Sequence, residues 1–492
     1  VGKRGRVRMR MQLVIRFDYG SITPWVRRTE TGIRATAGPD TLLLNSGVDL
    51  HNENFRTEAE FAVAEGQRVP FVLMWHPSHE PEPAMIDAHE TITATDEWWR
   101  EWSGRCTYEG PWRDVVVRSL ITLKALTYAP TGGIVAAATT SLPEQLGGVR
   151  NWDYRYCWLR DATFTLYALM LGGYTEEACA WREWLLRAVA GKPSQLNIMY
   201  GLAGERRLSE LELPWLPGYA ESAPVRIGNA ACEQFQLDVY GELMDAMHLA
   251  RRAGLAPDEN AWRVERALAE FLESCWSKPD NGIWEMRGPP RHFTHSKVMA
   301  WVAVDRMVKA VERFGLEGPV ERWRRLRATI HEEVCRCGFD PKRNAFVQYY
   351  GGEDLDASLL MIPLVGFLPA GDARVSGTVA AIERDLMADG FVLRYRTKPD
   401  VDALPPGEAA FLACSFWLAD NFALLERHDD ARRLFERLLG LCNDVGLLSE
   451  GYEPGNGRML GNFPQALSHL ALVNTACNLS RSRGPAADRK GS

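Results

Sequence analysis

The chain lacks any CxxC pair. Its 10 cysteines are scattered, Cys335 and Cys337 form the only close pair, and most others sit in apolar helical contexts, among them Cys179, Cys232, Cys414 and Cys477. A zinc cluster needs paired ligands at a spacing that is absent here, and buried free thiols point to a reducing compartment. The expectation is no metal and no cofactor. A surplus of positive charge is missing too: 57 Lys and Arg stand against 64 Asp and Glu, for a net charge of −7. Nucleic acid and anionic membranes both select basic surfaces, so neither is an expected partner. The locally basic stretch from Lys3 to Arg34 alternates with Val, Met and Leu and reads as the solvated face of strands. No apolar run can span a bilayer. The longest, from Leu359 to Leu368, contains Pro363 and falls short of the roughly 20 residues a span needs. The N-terminus has no apolar core followed by a small-residue cleavage site. These absences together predict a cytoplasmic protein, and oligomeric state leaves no signal.

Tryptophan, by contrast, is plentiful. Many of the 17 Trp lie beside Gly, Pro and charged residues rather than inside periodic helices. Aromatic faces next to polar groups suit sugar rings, which have apolar CH faces and polar edges. With 492 residues, 46% hydrophobic and 25% charged, the chain can bury a large core without disulfides or metals.

Residues 1–93 carry strand patterns at Met11 to Tyr19, Thr41 to Leu50, Glu58 to Val63 and Val69 to Trp75, separated by turn residues. They predict an antiparallel β-sandwich. The chain opens on Val1 and enters a strand pattern almost at once, so further strands are expected ahead of it. Residues 94–110 read as a linker helix, with Thr95 as N-cap and Trp98, Trp99 and Trp102 as apolar anchors. From 111 to 480 the pattern is helical, in twelve amphipathic segments: 112–127, 160–172, 175–190, 229–254, 260–276, 296–315, 319–336, 356–368, 372–388, 408–427, 429–439 and 464–480. Residues 481–492, rich in Arg, Gly and Pro, predict a disordered tail.

The connections carry more information than the helices. Short links such as Gly173-Tyr174 and Glu317-Gly318 follow the even segments, and long loops follow the odd ones. In an array of antiparallel helix hairpins, all the long loops then emerge at one end. Six hairpins closed in a ring make an (α/α)6 barrel with one elaborated face, where function is expected. An open solenoid is the competing arrangement, but no sequence repeat supports one.

Three long loops hold the candidate chemistry. The first ends in GGVRNWDYRYCWLRDA, where Arg160 and Asp161 can pair with sugar hydroxyls and Trp158 can serve as a platform; the competing reading is an Arg–Asp pair that closes the barrel end. The third contains GIWEMRG. Glu285 lies there between Trp284 and Met286, and apolar neighbours raise a carboxyl's pKa as a general acid requires. A solvated Glu285 paired with Arg287 is the alternative, and Trp284 is a further candidate to touch the sugar. The last loop contains LLSEGYE, with Glu450 between Ser449 and Gly451. That setting reads as polar and wetter, suited to a base holding a water; Glu453 is a possible rival. His469, inside the last helix, reads as orienting the wall. The acidic group Glu353, Asp354 and Asp356 reads as a helix start rather than a cation site. Two such carboxyls define a glycosidase: one protonates the leaving oxygen and the other activates water or attacks the sugar.

The strings GGVRNWDYRYCWLRDA, GIWEMRGPPRHFTHSK, FVLRYR and SEGYEPGNGRMLGNFPQALSHLAL, in that order, closely resemble glycoside hydrolase family 15, which comprises glucoamylases, related α-glucosidases and bacterial trehalases. The resemblance runs over nearly the whole chain. It implies an N-terminal β-sandwich followed by an (α/α)6 barrel, and inversion at the anomeric carbon with Glu285 as acid and Glu450 as base. It further implies that Trp158, Arg160 and Asp161 hold the non-reducing glucose, with Arg394 as a further contact. Bacterial relatives often read SEEY where this chain has SEGY, so substrate choice is open at Gly451. The expected activity is removal of glucose from the non-reducing end of an α-glucosidic small molecule or oligosaccharide, glucoamylase-like, with trehalose hydrolysis as the alternative. A phosphorylase on a similar barrel would need no carboxylate base. A sugar-binding relative without activity is the alternative of another class.

Overall fold

The computed structural model of the protein describes residues 1–255 and 258–480; the tail expected to be disordered lies outside them. The chain divides into two compact units, Val1–Trp102 and Ser103–Ser492.

Seven strands build the first unit: β1 (Arg6–Leu13), β2 (Trp25–Arg28), β3 (Gly32–Ala37), β4 (Asp40–Ser46), β5 (His51–Glu53), β6 (Arg56–Ala64) and β7 (Phe71–Pro77). They form two antiparallel sheets, ordered β1-β6-β5 and β2-β3-β4-β7. Alternation along each strand sends Ile33 and Ala35 of β3, Leu44 of β4 and Ala59 of β6 into one core, with Ile15 and Leu50 from the connections. Strand β1 is exposed on both faces over its first half: the apolar Val7 and Met9 are open as well as Arg6, Arg8 and Arg10, so the expected one-sided alternation is not seen there. Strands β2, β3 and β5 escape the sequence reading because they are short and polar on one side. The strand expected over Met11 to Tyr19 ends at Leu13, because Phe17 turns to pair with Ile22 in an isolated bridge.

Helix α1 spans Ala88–Gly104 and starts seven residues before the expected Thr95 cap. Asp87 is the cap, accepting from the N–H groups of His89 and Glu90 at 2.8 Å each. Thr95 instead donates its hydroxyl back to the Thr91 carbonyl, as an interior helical threonine does. Of the expected anchors, Trp102 is buried while Trp98 lies exposed.

The second unit carries α2 (Arg113–Ala125), α3 (Leu159–Leu171), α4 (Thr175–Ala188), α5 (Asp238–Arg252), α6 (Glu259–Cys275), α7 (Thr294–Phe314), α8 (Val320–Cys337), α9 (Met361–Leu364), α10 (Ala373–Asp385), a single turn α11 (Pro399–Asp402), α12 (Leu412–Leu424), α13 (His428–Leu439) and α14 (Ala466–Ser480). Helix α3 packs on α5, α5 on α7, α7 on α9, α9 on α12, α12 on α14, and α14 returns to α3. This inner ring closes an (α/α)6 barrel; α2, α4, α6, α8, α10 and α13 stand outside it. The two rings differ in composition as their places require. Inner α12 (LACSFWLADNFAL) is buried nearly all round; outer α13 buries only Ala431, Leu434, Phe435 and Leu438 on one stripe. One buried cation inside the ring is fully paired. Arg306 on α7 donates to Asp245 on α5 at 2.7 Å, to Asp305 at 2.6 Å and to the Val365 carbonyl at 2.9 Å, which satisfies a cation that could not otherwise be buried.

Two helical expectations change. The segment expected over 229–254 becomes a 3₁₀ turn at Ala230–Glu233, an extended stretch, and α5 from Asp238. The backbone of 234–237 bonds the third long loop instead: Asn281 N–H donates to Phe235 O, and Leu237 N–H to Asp280 Oδ2. The segment expected over 356–368 shortens to a 3₁₀ turn, Ala357–Leu360, followed by α9. Pro363 removes one donor there, and Gly366, at φ +81°, ends the run.

Candidate active site

Long loops between the rings converge at one end of the barrel, and four of them contribute to one hollow. Trp152, Tyr154 and Trp158 come from the first loop, Asn229 and Ala231 from the second, Trp284, Glu285, Met286 and Arg287 from the third, and Arg394, Tyr395 and Leu404 from the fifth. Its cavity volume is about 40 Å³, a narrow hollow as the side chains stand.

Glu285 sits at the tip of a tight turn at φ +50°, a left-handed conformation that a non-glycine residue holds only under restraint. The restraint is visible. Glu285 N–H donates to Gly282 O, Met286 N–H donates to Asn281 O, and the Gln234 amide donates to the carbonyls of Glu285 and Met286 at 3.2 and 3.1 Å. The carboxyl is thereby aimed at Trp158, whose indole N–H donates to Oε1 at 3.1 Å, and at Arg160, whose Nη1 lies 3.3 Å from the same oxygen. Arg287 is not its partner; it pairs with Glu210 at 2.6 Å. Burial raises the Glu285 pKa, with Asp161 and Asp238 adding to the rise and Arg160 opposing it.

Arg160 also donates to Ile283 O at 2.7 Å and lies 3.3 Å from Asp161. The Trp158, Arg160 and Asp161 group therefore stands against Glu285. Trp284 is nearly buried. Its N–H donates to both oxygens of Asp356, at 2.9 and 3.1 Å, and its ring stacks at 6.0 Å from Trp417. Asp356 in turn accepts from Gln348 and caps the 3₁₀ turn through Ser358 N–H at 2.8 Å, so that carboxylate serves as a helix start. Among the described residues no group of three or more His, Cys, Asp and Glu could hold a metal ion.

Glu450 follows a different plan. Its backbone N–H donates to Asn462 O at 3.2 Å, and its carbonyl accepts from Leu412 N–H at 3.1 Å. Oε1 accepts from the Tyr154 hydroxyl at 2.7 Å, and Oε2 from Asn462 N–H at 3.4 Å. Gly461, at φ +77°, lies so close that a Cβ there would collide with Glu450 Oε2. His469, fully buried, accepts from Leu448 N–H at 3.1 Å and meets Ser119 at 3.0 Å. Burial drives its pKa down to about 3, so it holds the loop as a neutral ring. Glu453 lies in the hairpin beyond, bonded to Asn456.

The wetter setting expected for Glu450 is corrected here. Glu450 is 2% exposed, whereas the Glu285 side chain is 21% exposed. Burial and the neighbouring charge of Glu144 push Glu450 up to about 8, against the pull of Arg394 and the Tyr154 hydroxyl. The small neighbours Ser449 and Gly451 do not admit water; they let strands close over the residue, with Gly451 paired to Phe411 and Leu460.

The two carboxyls meet through an aromatic pair. Tyr154, bonded to Glu450, and Trp158, bonded to Glu285, stand edge to face with ring centroids 5.2 Å apart. Arg394 lines the same hollow, but its Nη2 binds Glu144 and Glu408 at 2.6 Å each and its Nε binds Glu408 at 3.2 Å. Arg150 binds Asp402 at 2.7 Å beside it. Sequence reasoning missed Tyr154, Glu144, Glu408, Gln234 and Asp402. Tyr154 lies inside a motif already singled out. Glu144 and Asp402 come from loops with no periodicity, and Gln234 and Glu408 lie in stretches, 229–254 and 408–427, that read as helix and so carried no signal of a loop.

The family model described as Glycosyl hydrolases family 15 matches residues 110–477. The chain is 41% identical, over 97% of its length, to a trehalase of Mycobacterium tuberculosis and covers 72% of that protein. It is 35% identical, over 96% of its length, to a trehalase of Thermoplasma acidophilum and covers 81% of it. Among solved structures, a bacterial glucoamylase complexed with acarbose superposes with a TM-score of 0.71 at 13% identity, covering 94% of this chain and 75% of that one. At that identity the likeness speaks for the fold.

Proposed function

The chain belongs to glycosyl hydrolase family 15 and is a glycosidase, and on that premise we propose that it hydrolyses α,α-trehalose to glucose with inversion. The observation that carries the reading is the pair of carboxyls bound to opposite members of one aromatic pair. The choice of trehalose over maltose-type glucosides rests on the two trehalases, each similar over nearly all of this chain.

In this mechanism Glu285 donates its proton to the bridging oxygen as the C1–O bond breaks and positive charge spreads over C1 and the ring oxygen. A raised pKa keeps that proton available. Glu450 takes a proton from a water on the opposite face, and the water oxygen bonds to C1. Inversion needs room for that water, with the carboxyls roughly 6.5–9.5 Å apart. Asp161 and Arg160 take hydroxyls of the reacting glucose, Trp158 and Trp284 wall it, and Arg394 reaches it with Nη1. The bonds from Tyr154 and Asn462 favour the ionised form of Glu450 that accepts the proton. None of the cysteines is joined in a disulfide, which supports a cytoplasmic setting; among the described residues no helix is long and apolar enough to cross a membrane.

Glucose release from trehalose, maltose and isomaltose tests the reading. Trehalose is expected to show the highest kcat/KM. Cleavage of maltose with trehalose left intact would return the protein to the glucoamylase type.

A further inference from the structure

Glu144 belongs to neither carboxyl role, yet it lines the same hollow and is only 5% exposed. Its backbone is pinned by three connections: Glu144 N–H donates to Arg150 O, its carbonyl accepts from Ala409 N–H, and Pro143 O accepts from Gly461 N–H at 2.7 Å. Gly461 is the residue that closes on the Glu450 carboxyl, so Glu144 stands on the side of Glu450. One of its oxygens, Oε2, is held by Arg394 at 2.6 Å. The other, Oε1, is buried and has no hydrogen-bond partner among the described residues.

Support of Arg394 does not account for that oxygen. Glu408 already holds Arg394 with both of its own oxygens, at 2.6 and 3.2 Å, and does not line the hollow. The charges nearby do not account for it either. Arg394 and Arg150 face Glu144, Glu408 and Asp402, so a net negative charge remains. An anionic ligand is excluded by that surplus, whereas a neutral hydroxyl is the donor a buried carboxylate oxygen lacks. We propose that Glu144 is a third substrate-binding carboxylate of the site, its Oε1 accepting a hydrogen bond from one hydroxyl of the glucose whose bond is broken. This rests on the glycosidase reading above. Arg394 fixes the carboxyl plane in advance, so the acceptor is oriented before the sugar arrives. The same carboxylate pushes up the pKa of Glu450 and of Tyr154, as a neighbour on the base side should.

The test uses α-D-glucosyl fluoride and its monodeoxy analogues lacking the 2-, 3-, 4- or 6-hydroxyl, whose only sugar is the reacting one. kcat/KM is measured for the wild-type protein, Glu144→Gln and Glu408→Gln. One analogue is expected to lose about 10- to 100-fold with wild type and with Glu408→Gln, and to be treated like the parent by Glu144→Gln. Glu144→Asp, which retracts the oxygen by one methylene and keeps the charge beside Arg394, is expected to blunt discrimination at the same position, and it serves if the amide variant does not fold. Discrimination left unchanged at every position by Glu144→Gln or Glu144→Asp overturns the assignment. Failure of the trehalose reading shows separately, as wild-type protein that releases no glucose from trehalose while it still cleaves the fluoride.

Discussion

Glu285, which lines the hollow, and the buried Glu450 show how one residue type is fitted to two settings. Glu285 rides on a strained turn, reaches the edge of the cavity, and is bonded by an indole N–H and a guanidinium. Glu450 lies beneath, closed over by short strands, bonded by a phenol and a backbone N–H, and beside a further carboxylate. Burial raises both pKa values. Around Glu285 a cation opposes the rise directly; around Glu450 the nearest cation is already shared with Glu144 and Glu408. In the proposed mechanism exposure does not sort acid from base; the charge next to each carboxyl and the donors that fix its oxygens do.

Replacing each carboxyl breaks the comparison most sharply. Glu285→Gln and Glu450→Gln are each expected to lower kcat on trehalose by about 100- to 10,000-fold, with the double variant little worse than the singles. On α-D-glucosyl fluoride, whose leaving group needs no proton, Glu285→Gln should recover most of the wild-type rate and Glu450→Gln should not. Equal recovery of both would remove the distinction between acid and base.

The donors come next. Tyr154→Phe deletes the hydroxyl that orients Glu450 and should cost about 10- to 100-fold in kcat. Trp158→Phe deletes a longer bond to Glu285, which Arg160 still holds, and should cost less. The reverse order would contradict the placement of the two side chains.

The pH profile sharpens the comparison further. In the proposed mechanism the active form has Glu450 ionised and Glu285 protonated, so kcat/KM should rise as the pair loses its first proton and fall as it loses its second. With Glu450 pushed up to about 8 and Glu285 raised as well, the rising limb should lie above the ordinary carboxylate range. The two midpoints belong to the pair rather than to either residue. An optimum near pH 4 would contradict the burial argument.

The smallest effect concerns stability on the Glu285 side. Asp238, at the start of α5, is fully buried, and burial pushes its pKa up to about 7, with Asp280 adding to the rise and Arg160 opposing it. A carboxyl raised on folding favours the native state while protonated. Its contribution is present below the unfolded pKa near 4 and is lost as pH rises towards 7. Asp238→Asn should therefore flatten the fall in Tm between pH 4 and pH 8, a change worth at most about 4 kcal/mol. An unchanged pH dependence would show that Asp238 ionises freely.

Much of this arrangement is legible in the sequence because it follows from periodicity and loop length. Inner and outer helices, the single elaborated end, and the positions of Glu285 and Glu450 on its loops all come from where apolar spacing holds and where it lapses. The surroundings of Glu450 were misread because Ser449 and Gly451 are small. Small residues admit either water or another strand, and only the pairing of Gly451 with Phe411 and Leu460 decides between them. The start of α5 was misread because residues 229–237 are apolar enough for a helix, yet their backbone is committed to the turn that carries Glu285. Glu144 and Glu408 lie 264 residues apart in sequence and share one guanidinium, a contact that no local pattern encodes.

Two-carboxyl inversion is tested most directly by proton NMR of the first glucose formed from trehalose in ¹⁸O-labelled water, read before mutarotation. Attack by water at one C1 turns that glucose into the β anomer, while the departing glucose keeps its α configuration. The account predicts equal initial amounts of α- and β-glucose, with the label in the β anomer alone. α-Glucose as the sole first product, carrying label, would mean retention and would contradict it.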